Sequence, residues 1–174
     1  HAQGADENDL LISLGGIVTA TDADGDTVTA AAGGLVVTVD DDTPTASAAL
    51  LTGTVDEDGV PGGIANGIGD VPGAATIATG SAATLFNSGA DAPLTYALSL
   101  TTVATLTALN LTSAGTPLTY VLAGDTVTAS ANGGPIFTFQ LTAAGTWTFT
   151  LIDQLDHAQG ADENDLLISL GGIV

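Results

Sequence analysis

The chain has 174 residues, of which 20 are acidic and none is lysine or arginine, so its formal net charge at pH 7 is −20. Hydrophobic residues nevertheless make up 45% of it, which excludes a disordered acidic tail. A chain without cations has no basic surface for nucleic acid or an anionic membrane, and one without cysteine has no disulfide or thiolate metal site. Because like charges destabilise a compact state, the carboxylates need a neutralising ion from outside, and Ca²⁺ is the natural candidate.

The first eighteen residues, HAQGADENDLLISLGGIV, recur unchanged at residues 157–174. An identity of this length indicates a tandem array with a period of 156 residues, measured from His1 to His157. We expect the sequence to be a window of such an array, with one full period and the start of the next. No apolar run approaches the roughly 18 residues of a membrane span, so we expect no membrane insertion.

Apolar residues alternate with threonine or serine through most of the chain, a pattern typical of half-buried β-strands. It covers residues 27–39, 94–109, 118–131 and 135–152, and glycine-containing turns break it. We therefore predict an all-β fold, a β-sandwich of short antiparallel strands with almost no helix. The aromatic residues of the last segment, Phe137, Phe139, Trp147 and Phe149, are predicted to lie mainly in the core.

The hexapeptide GDTVTA occurs at residues 25–30 and again at 124–129, which indicates one hairpin used twice. Only the first copy follows two further aspartates, Asp22 and Asp24. Asp26 is explained as a turn residue, but turn formation does not explain Asp22 and Asp24. The DADGD sequence does not fit an EF-hand, because Gly25 is fourth rather than sixth in the loop. A calcium loop on a β scaffold and an acidic turn that caps a hairpin both remain open.

The other acidic groups also follow strand-like segments, where loops can bring together the 6–8 oxygens that Ca²⁺ takes. The run 40–42 precedes Pro44 and indicates a domain exit, and the group 56–58 comes shortly after, so the two groups can share ions across a linker. The alternative is a solvated run of charges. The predicted metal ligands are Asp22, Asp24, Asp26, Asp40, Asp41, Asp42, Asp56, Glu57, Asp58, Asp156, Asp162, Glu163 and Asp165.

Signatures of an enzyme are missing from the sequence. The glycine-rich loop at 59–73 has no GxGxxG that opens a helix, and no serine lies in a GxSxG elbow. His157 is better explained by a structural role than by a catalytic one. One Trp, two Tyr and four Phe leave few rings for a sugar-cleaving cleft. We expect a non-enzymatic protein with no catalytic residue.

The order of these motifs resembles a known family. VDEDG, then GTWTFTLIDQLDH, an acidic stretch, LLISLGGIVTATDADGD and LVVTVDDDTP follow one another as in the extender repeats of giant bacterial RTX (repeats-in-toxin) adhesins exported by type I secretion. The resemblance spans the whole period. It implies an immunoglobulin-like or cadherin-like β-sandwich, calcium in loops and at repeat junctions, and a location on the cell surface. The implied role is to project a distal binding region for adhesion or biofilm formation, with neighbouring repeats as partners.

The repeat can be framed in two ways. The resemblance places a repeat end near VDDDTP, so residues 1–44 would be the end of one repeat and 45–174 the main body of the next. Residues 1–44 would then supply the last strands of that body, either within the chain or between neighbours. In the other frame, residues 1–156 are one fold followed by a spare strand. A second function also stays open, a calcium-dependent module that binds carbohydrate or a surface.

Overall fold

The structure is a computed structural model, and it describes residues 9–64, 73–158 and 165–174. The chain divides into two units. The first contains His1–Thr45 and Ser88–Pro93, and the second contains Ala46–Asn87 and Leu94–Val174. In the described ranges, no helix has the length and apolar character needed to cross a membrane. The prediction of a mostly β protein is confirmed, and the frame of the repeat stays a prediction.

The first unit consists of two small antiparallel strand pairs. Strand β1 (Leu10–Ser13) pairs with β4 (Val36–Val39), and β2 (Thr19–Thr21) pairs with β3 (Thr27–Thr29). These residues are mostly β-branched or apolar, which favours extended backbone. All four strands are exposed, and Gly15 is the only buried residue among those described in this unit. Two-stranded ribbons without a buried face are only marginally stable by themselves.

The backbone around Gly15 leaves no space for a side chain. It begins a short 3₁₀ turn, Gly15–Ile17, that joins β1 to β2. A Cβ at this position would collide with the carbonyl oxygen of Ala31 and lie 2.7 Å from the amide nitrogen of Gly34. Only glycine lets these backbone segments approach so closely.

The second unit is built on a five-stranded antiparallel sheet in the order β10-β11-β12-β13-β6. Its strands are β6 (Ile77–Ser81), β10 (Thr119–Ala123), β11 (Thr126–Ala131), β12 (Gly134–Leu141) and β13 (Thr146–Leu151). The remaining elements are two 3₁₀ turns, Glu57–Gly59 and Ala82–Leu85, one helix and short strands. These are α1 (Thr102–Thr107), β7 (Phe86–Asn87), β8 (Thr112–Ser113) and β9 (Thr116–Pro117). The short strand β5 (Thr45–Ala46) contains the last residue of the first segment of the first unit and the first residue of the second unit.

Glycine turns join the strands of the sheet where the sequence predicts them. Gly124 between β10 and β11, Gly133 between β11 and β12, and Gly145 between β12 and β13 have φ values of 62°, 83° and 85°. These angles lie in the left-handed region, where glycine has no steric cost. The two predicted hairpins at 118–131 and 135–152 are confirmed, and so is the pair of GDTVTA hairpins, β2–β3 and β10–β11.

One face of the sheet carries the core. Alternate residues of β11, Val127, Ala129 and Ala131, are buried, as the period of two requires. Phe137 of β12 is fully buried and stacks on Phe149 of β13, with ring centroids 5.0 Å apart. The predicted core position of the aromatic residues is therefore confirmed, and Trp147 packs against the same cluster.

The prediction of a strand over residues 94–109 is wrong. Thr102–Thr107 form the helix α1, and residues 94–99 are irregular. The Ser99 hydroxyl accepts a hydrogen bond from the Thr101 amide, and the Thr102 hydroxyl donates to the Ser99 carbonyl at 2.6 Å. Thr102 and Leu106 are both fully buried, and residues four apart share one face of a helix. Local side-chain hydrogen bonds and this one buried face outweigh the strand propensity of threonine and valine.

Candidate metal centre

Three aspartates converge at the turn between β2 and β3. Asp22, Asp24 and Asp26 each offer a carboxylate oxygen, and these oxygens all lie within 4.8 Å of one another. In the described parts of the chain, this is the one group of three or more potential ligands that lie so close together. All three residues are exposed, so their free energy of desolvation is small and water can complete a coordination shell.

The geometry of the turn explains why these side chains meet. The Asp22 amide donates to the Asp26 carbonyl at 3.0 Å and closes the hairpin, while Gly25 takes a φ of 101°. The Asp22 carboxylate accepts hydrogen bonds from the amides of Gly25 at 3.0 Å and Asp26 at 2.8 Å. This is an Asx-type turn, in which the side chain substitutes for backbone. Residues 22, 24 and 26 are thus brought to one side of a tight loop.

The electrostatics of the cluster favour ionised Asp22. The pKa of Asp22 is lowered, first by a hydrogen bond with the side chain of Asp24 and then by backbone hydrogen bonds, chiefly from Asp26. A carboxyl can donate such a bond only when it carries a proton. Carboxylates this close together repel one another when they are ionised. A bound cation would remove that repulsion.

The second GDTVTA hairpin is a natural comparison, because it lacks the two upstream aspartates. Its Asp125 accepts hydrogen bonds from the Thr126 hydroxyl at 2.8 Å and from the side-chain amide of Gln140 at 3.0 Å. Asp125 therefore has neutral partners where Asp26 has other carboxylates nearby. The same hexapeptide supports an ordinary turn in one place and an acidic cluster in the other.

The predicted ligands at 40–42 lie directly after β4. Asp42 accepts a hydrogen bond from the Ala90 amide at 2.9 Å, and its carboxylate lies against Gly89, where a side chain would collide with it. Asp40 is exposed and Asp41 is half-buried. Among the described residues, this run does not join a group of three close ligands. Its metal role stays a prediction.

The predicted ligands at 56–58 form the start of a 3₁₀ turn. Asp56 is its N-cap, and its carboxylate accepts a hydrogen bond from the Asp58 amide at 2.9 Å. The Glu57 carboxylate accepts from the Leu155 amide at 2.6 Å and lies 3.3 Å from Nε2 of His157. Asp56 and Glu57 therefore have structural roles that the sequence did not predict.

The last predicted ligands lie near the end of the chain. Asp156 accepts a hydrogen bond from the Gly115 amide at 2.8 Å. Its pKa is lowered, first by a hydrogen bond from the Thr112 hydroxyl and then by that backbone amide. Asp165 is exposed. Asp162 and Glu163 lie outside the described residues, so their predicted role is not addressed by the structure.

The link between Glu57 and residues 155–157 is a structural feature of a predicted ligand that sequence reasoning missed. Glu57 and Leu155 are 98 residues apart in the chain, and no local sequence pattern predicts a contact over that separation. The one available signal is chemical. In a chain with no Lys or Arg, His157 is one of only two side chains that can carry a positive charge.

Comparisons with protein-family models, with curated protein sequences and with solved structures found no match for this chain.

Proposed function

We propose that this protein is a structural extender repeat of a bacterial cell-surface adhesin, rigidified by calcium and without catalytic activity. The observation that carries the proposal is the cluster of Asp22, Asp24 and Asp26 in a chain that has no cationic counterpart. Three carboxylates at this spacing provide the hard oxygen ligands that Ca²⁺ prefers, and exposure leaves room for water and backbone carbonyls to fill the shell.

The repetition of the sequence supports a mechanical role. An exact repeat of eighteen residues with a period of 156 is expected of a chain whose length, rather than a single site, is selected. Calcium at loops and junctions would stiffen such an array without disulfides, which a chain lacking cysteine cannot form. Export by type I secretion and a location outside the cell, where calcium is abundant, are parts of the same proposal.

An immunoglobulin-like or cadherin-like sandwich is the finer fold that we propose. The five-stranded sheet with one buried face supplies one layer, and antiparallel connection by tight hairpins is typical of such domains. The second layer would come from short strands that a neighbouring repeat extends. Placement of calcium at the domain ends would then follow from the acidic loops at 22–26, 40–42 and 56–58.

The alternative function, a calcium-dependent module for carbohydrate or a surface, has weaker support. Sugar sites commonly present exposed aromatic rings, and none of the seven aromatic residues of this chain is fully exposed. Phe137, Phe139 and Phe149 are buried in the core. A glycan array probed in millimolar calcium separates the two functions, and specific binding to one glycan class would favour the alternative.

Calcium binding at equilibrium tests the proposal. The wild-type chain, the Asp22→Asn/Asp24→Asn variant and the matched Asp125→Asn variant are dialysed against 0.01–10 mM calcium, and bound metal is measured. The wild type is expected to bind several ions with dissociation constants of about 10⁻⁴ to 10⁻³ M, as extracellular modules do. Loss of both aspartates should remove at least one ion, whereas Asp125→Asn should remove none.

Two results would contradict the proposal. A wild-type chain that binds no calcium at 10 mM would exclude calcium as its stiffener. A double variant that retains every ion, with the same affinities as wild type, would show that the 22–26 cluster is only an acidic turn. Asp125→Asn controls for the loss of a turn carboxylate in an otherwise similar hairpin.

A further inference from the structure

The two copies of LLISLGGIV have different surroundings, although their sequences are identical. In the first copy, residues 10–18, the side chain of Ile17 is 77% exposed. In the second copy, residues 166–174, the equivalent Ile173 is fully buried. This difference at one repeat position shows that the apolar surface of the segment is covered in the second copy and uncovered in the first.

The second copy occupies a defined slot beside the start of α1. The Ile173 carbonyl accepts a hydrogen bond from the Ser99 amide at 2.8 Å, and the Thr102 hydroxyl lies 3.4 Å from it. The side chain of Ile173 belongs to the core cluster of the second unit. Leu166, Ile168 and Leu170 pack against that cluster and are partly buried, whereas Leu167 between them is 90% exposed.

The first copy has its backbone paired but its side chains uncovered. Strand β1 pairs with β4 in the register Leu10↔Val39 to Ser13↔Val36, and the Leu14 amide donates to the Leu35 carbonyl at 2.8 Å. Leu10 and Ile12 are 52% and 40% exposed. No described residue of the first unit belongs to the core cluster. An apolar ribbon exposed in this way indicates an interaction surface.

The contacts that the two copies make are complementary. The first has a strand partner and no apolar cover, and the second has apolar cover but no strand within 165–174. Both kinds of contact can form at once, because ladder hydrogen bonds lie in the plane of a sheet while side chains stand perpendicular to it. A strand that satisfies both would join the body of one repeat to the β1–β4 ribbon of the next.

We propose that residues 10–18 dock into the slot of a second copy of this chain, in the place that residues 166–174 fill here. The interface is heterologous, since residues 10–18 of one chain enter a slot beside Ser99 and Thr102 of another, and such contacts can build open arrays. In a tandem polypeptide, the second copy is the preceding repeat. The inference depends on the repetition and not on calcium, so the metal-binding experiment and this one can fail separately.

The side chain at position 173 controls access to the slot. In the wild-type chain, residues 166–174 are covalently attached to the unit whose slot they fill. Their effective concentration at the slot is therefore high, and they outcompete a free peptide. Ile173→Ala removes three carbons from a fully buried side chain. By the value for buried methylene groups, this should weaken the binding of residues 166–174 to the slot roughly 50-fold. Ile173→Val removes one carbon and should weaken it roughly fourfold.

Peptide binding to the full-length chain tests the docking. The probe is a fluorescently labelled peptide of residues 1–18, HAQGADENDLLISLGGIV, and its control carries the change Ile17→Asp. Binding is followed by fluorescence anisotropy at about 0.15 M salt, which limits repulsion between acidic partners to about 8 Å. We expect apparent affinity to increase from wild type through Ile173→Val to Ile173→Ala, with no binding of the control peptide.

The emission of Trp147, which lies in β13, reports whether each variant keeps its folded body. If Ile173→Ala unfolds, the milder Ile173→Val gives the same comparison with a smaller shift. The proposal is overturned if folded Ile173→Ala and Ile173→Val bind the peptide no better than wild type. It is also overturned if the Ile17→Asp peptide binds as well as the unchanged one, because binding would then not depend on the buried isoleucine.

Discussion

The indole of Trp147 lies where two glycines leave space for it. Trp147 on β13 is directly opposite Gly80 on β6, and a Cβ on Gly80 would lie 2.6 Å from Cε2 and Cζ2 of the ring. A Cβ on Gly53 would lie 2.8 Å from Cη2 of the same ring. The ring also stacks on Phe139, with centroids 6.3 Å apart. Glycine at position 80 is therefore required by packing, since the structure gives it no left-handed φ.

Gly80→Ala is predicted to destabilise the second unit. Carbon atoms pack at about 3.5–4.0 Å, so the ring must move by about 1 Å to admit the new methyl group. Overpacking of this kind costs about 1–3 kcal/mol. For a chain of this size, each kcal/mol lowers the unfolding temperature by about 2–4 °C, which gives an expected decrease of about 2–12 °C. The emission of the single tryptophan should change as well.

Urea and thermal unfolding, followed by far-UV circular dichroism, measure the effect. Gly134→Ala on β12 is the matched control, because a Cβ there meets nothing within 4 Å, and its stability should stay equal to wild type or rise slightly. In a Trp147→Leu background, Gly80→Ala should cost less, since the clashing ring is gone. Equal stability of Gly80→Ala and wild type, with unchanged emission, would refute this packing.

Three further predictions concern the second unit. Phe137→Ala, at a fully buried position, should lower the free energy of unfolding by about 3–5 kcal/mol, and a urea titration that finds less than about 1 kcal/mol would contradict its place in the core. Glu57→Ala should cost about 1.5–3 kcal/mol in the same assay, because the Leu155 amide loses a charged acceptor, while Glu57→Gln keeps an acceptor and should cost less; equal losses would exclude this role. Because the pKa of Asp156 is lowered below 3.8 in the folded state, its contribution is present above the unfolded pKa and lost as pH falls through the folded one. Stability should thus fall more steeply from pH 5 to pH 2 in wild type than in Asp156→Asn, and parallel profiles would show that Asp156 is not linked to folding.

The sequence predicts the hairpins because their determinants are local. Gly124, Gly133 and Gly145 supply the left-handed backbone that tight turns require, and the flanking residues alternate with a period of two. Helix α1 could not be predicted in the same way. Its threonines and Val103 favour strands, and the buried contacts of Leu106 that stabilise the helix depend on tertiary structure.

The same distinction between local and long-range determinants applies to the candidate metal site. Asp22, Asp24 and Asp26 were predicted together, and they meet because one tight turn holds all three. The predicted sharing of ions between 40–42 and 56–58 requires distant segments to converge, which no local pattern specifies. Glu57 illustrates the difficulty, since its hydrogen-bond partner is the Leu155 amide, 98 residues away. Local turn chemistry is readable from sequence, whereas long-range contacts of single side chains are not.

The calcium dependence of the unfolding temperature tests the proposed role most directly. The wild-type chain is unfolded thermally in excess chelator and in 10 mM calcium, with sodium and magnesium controls at the same ionic strength. A site with a dissociation constant of about 10⁻⁴ M stabilises the folded state by about 2.7 kcal/mol at this concentration. The unfolding temperature should therefore rise by about 5–11 °C for each such site. Identical unfolding temperatures in chelator and in calcium would contradict a calcium-rigidified repeat.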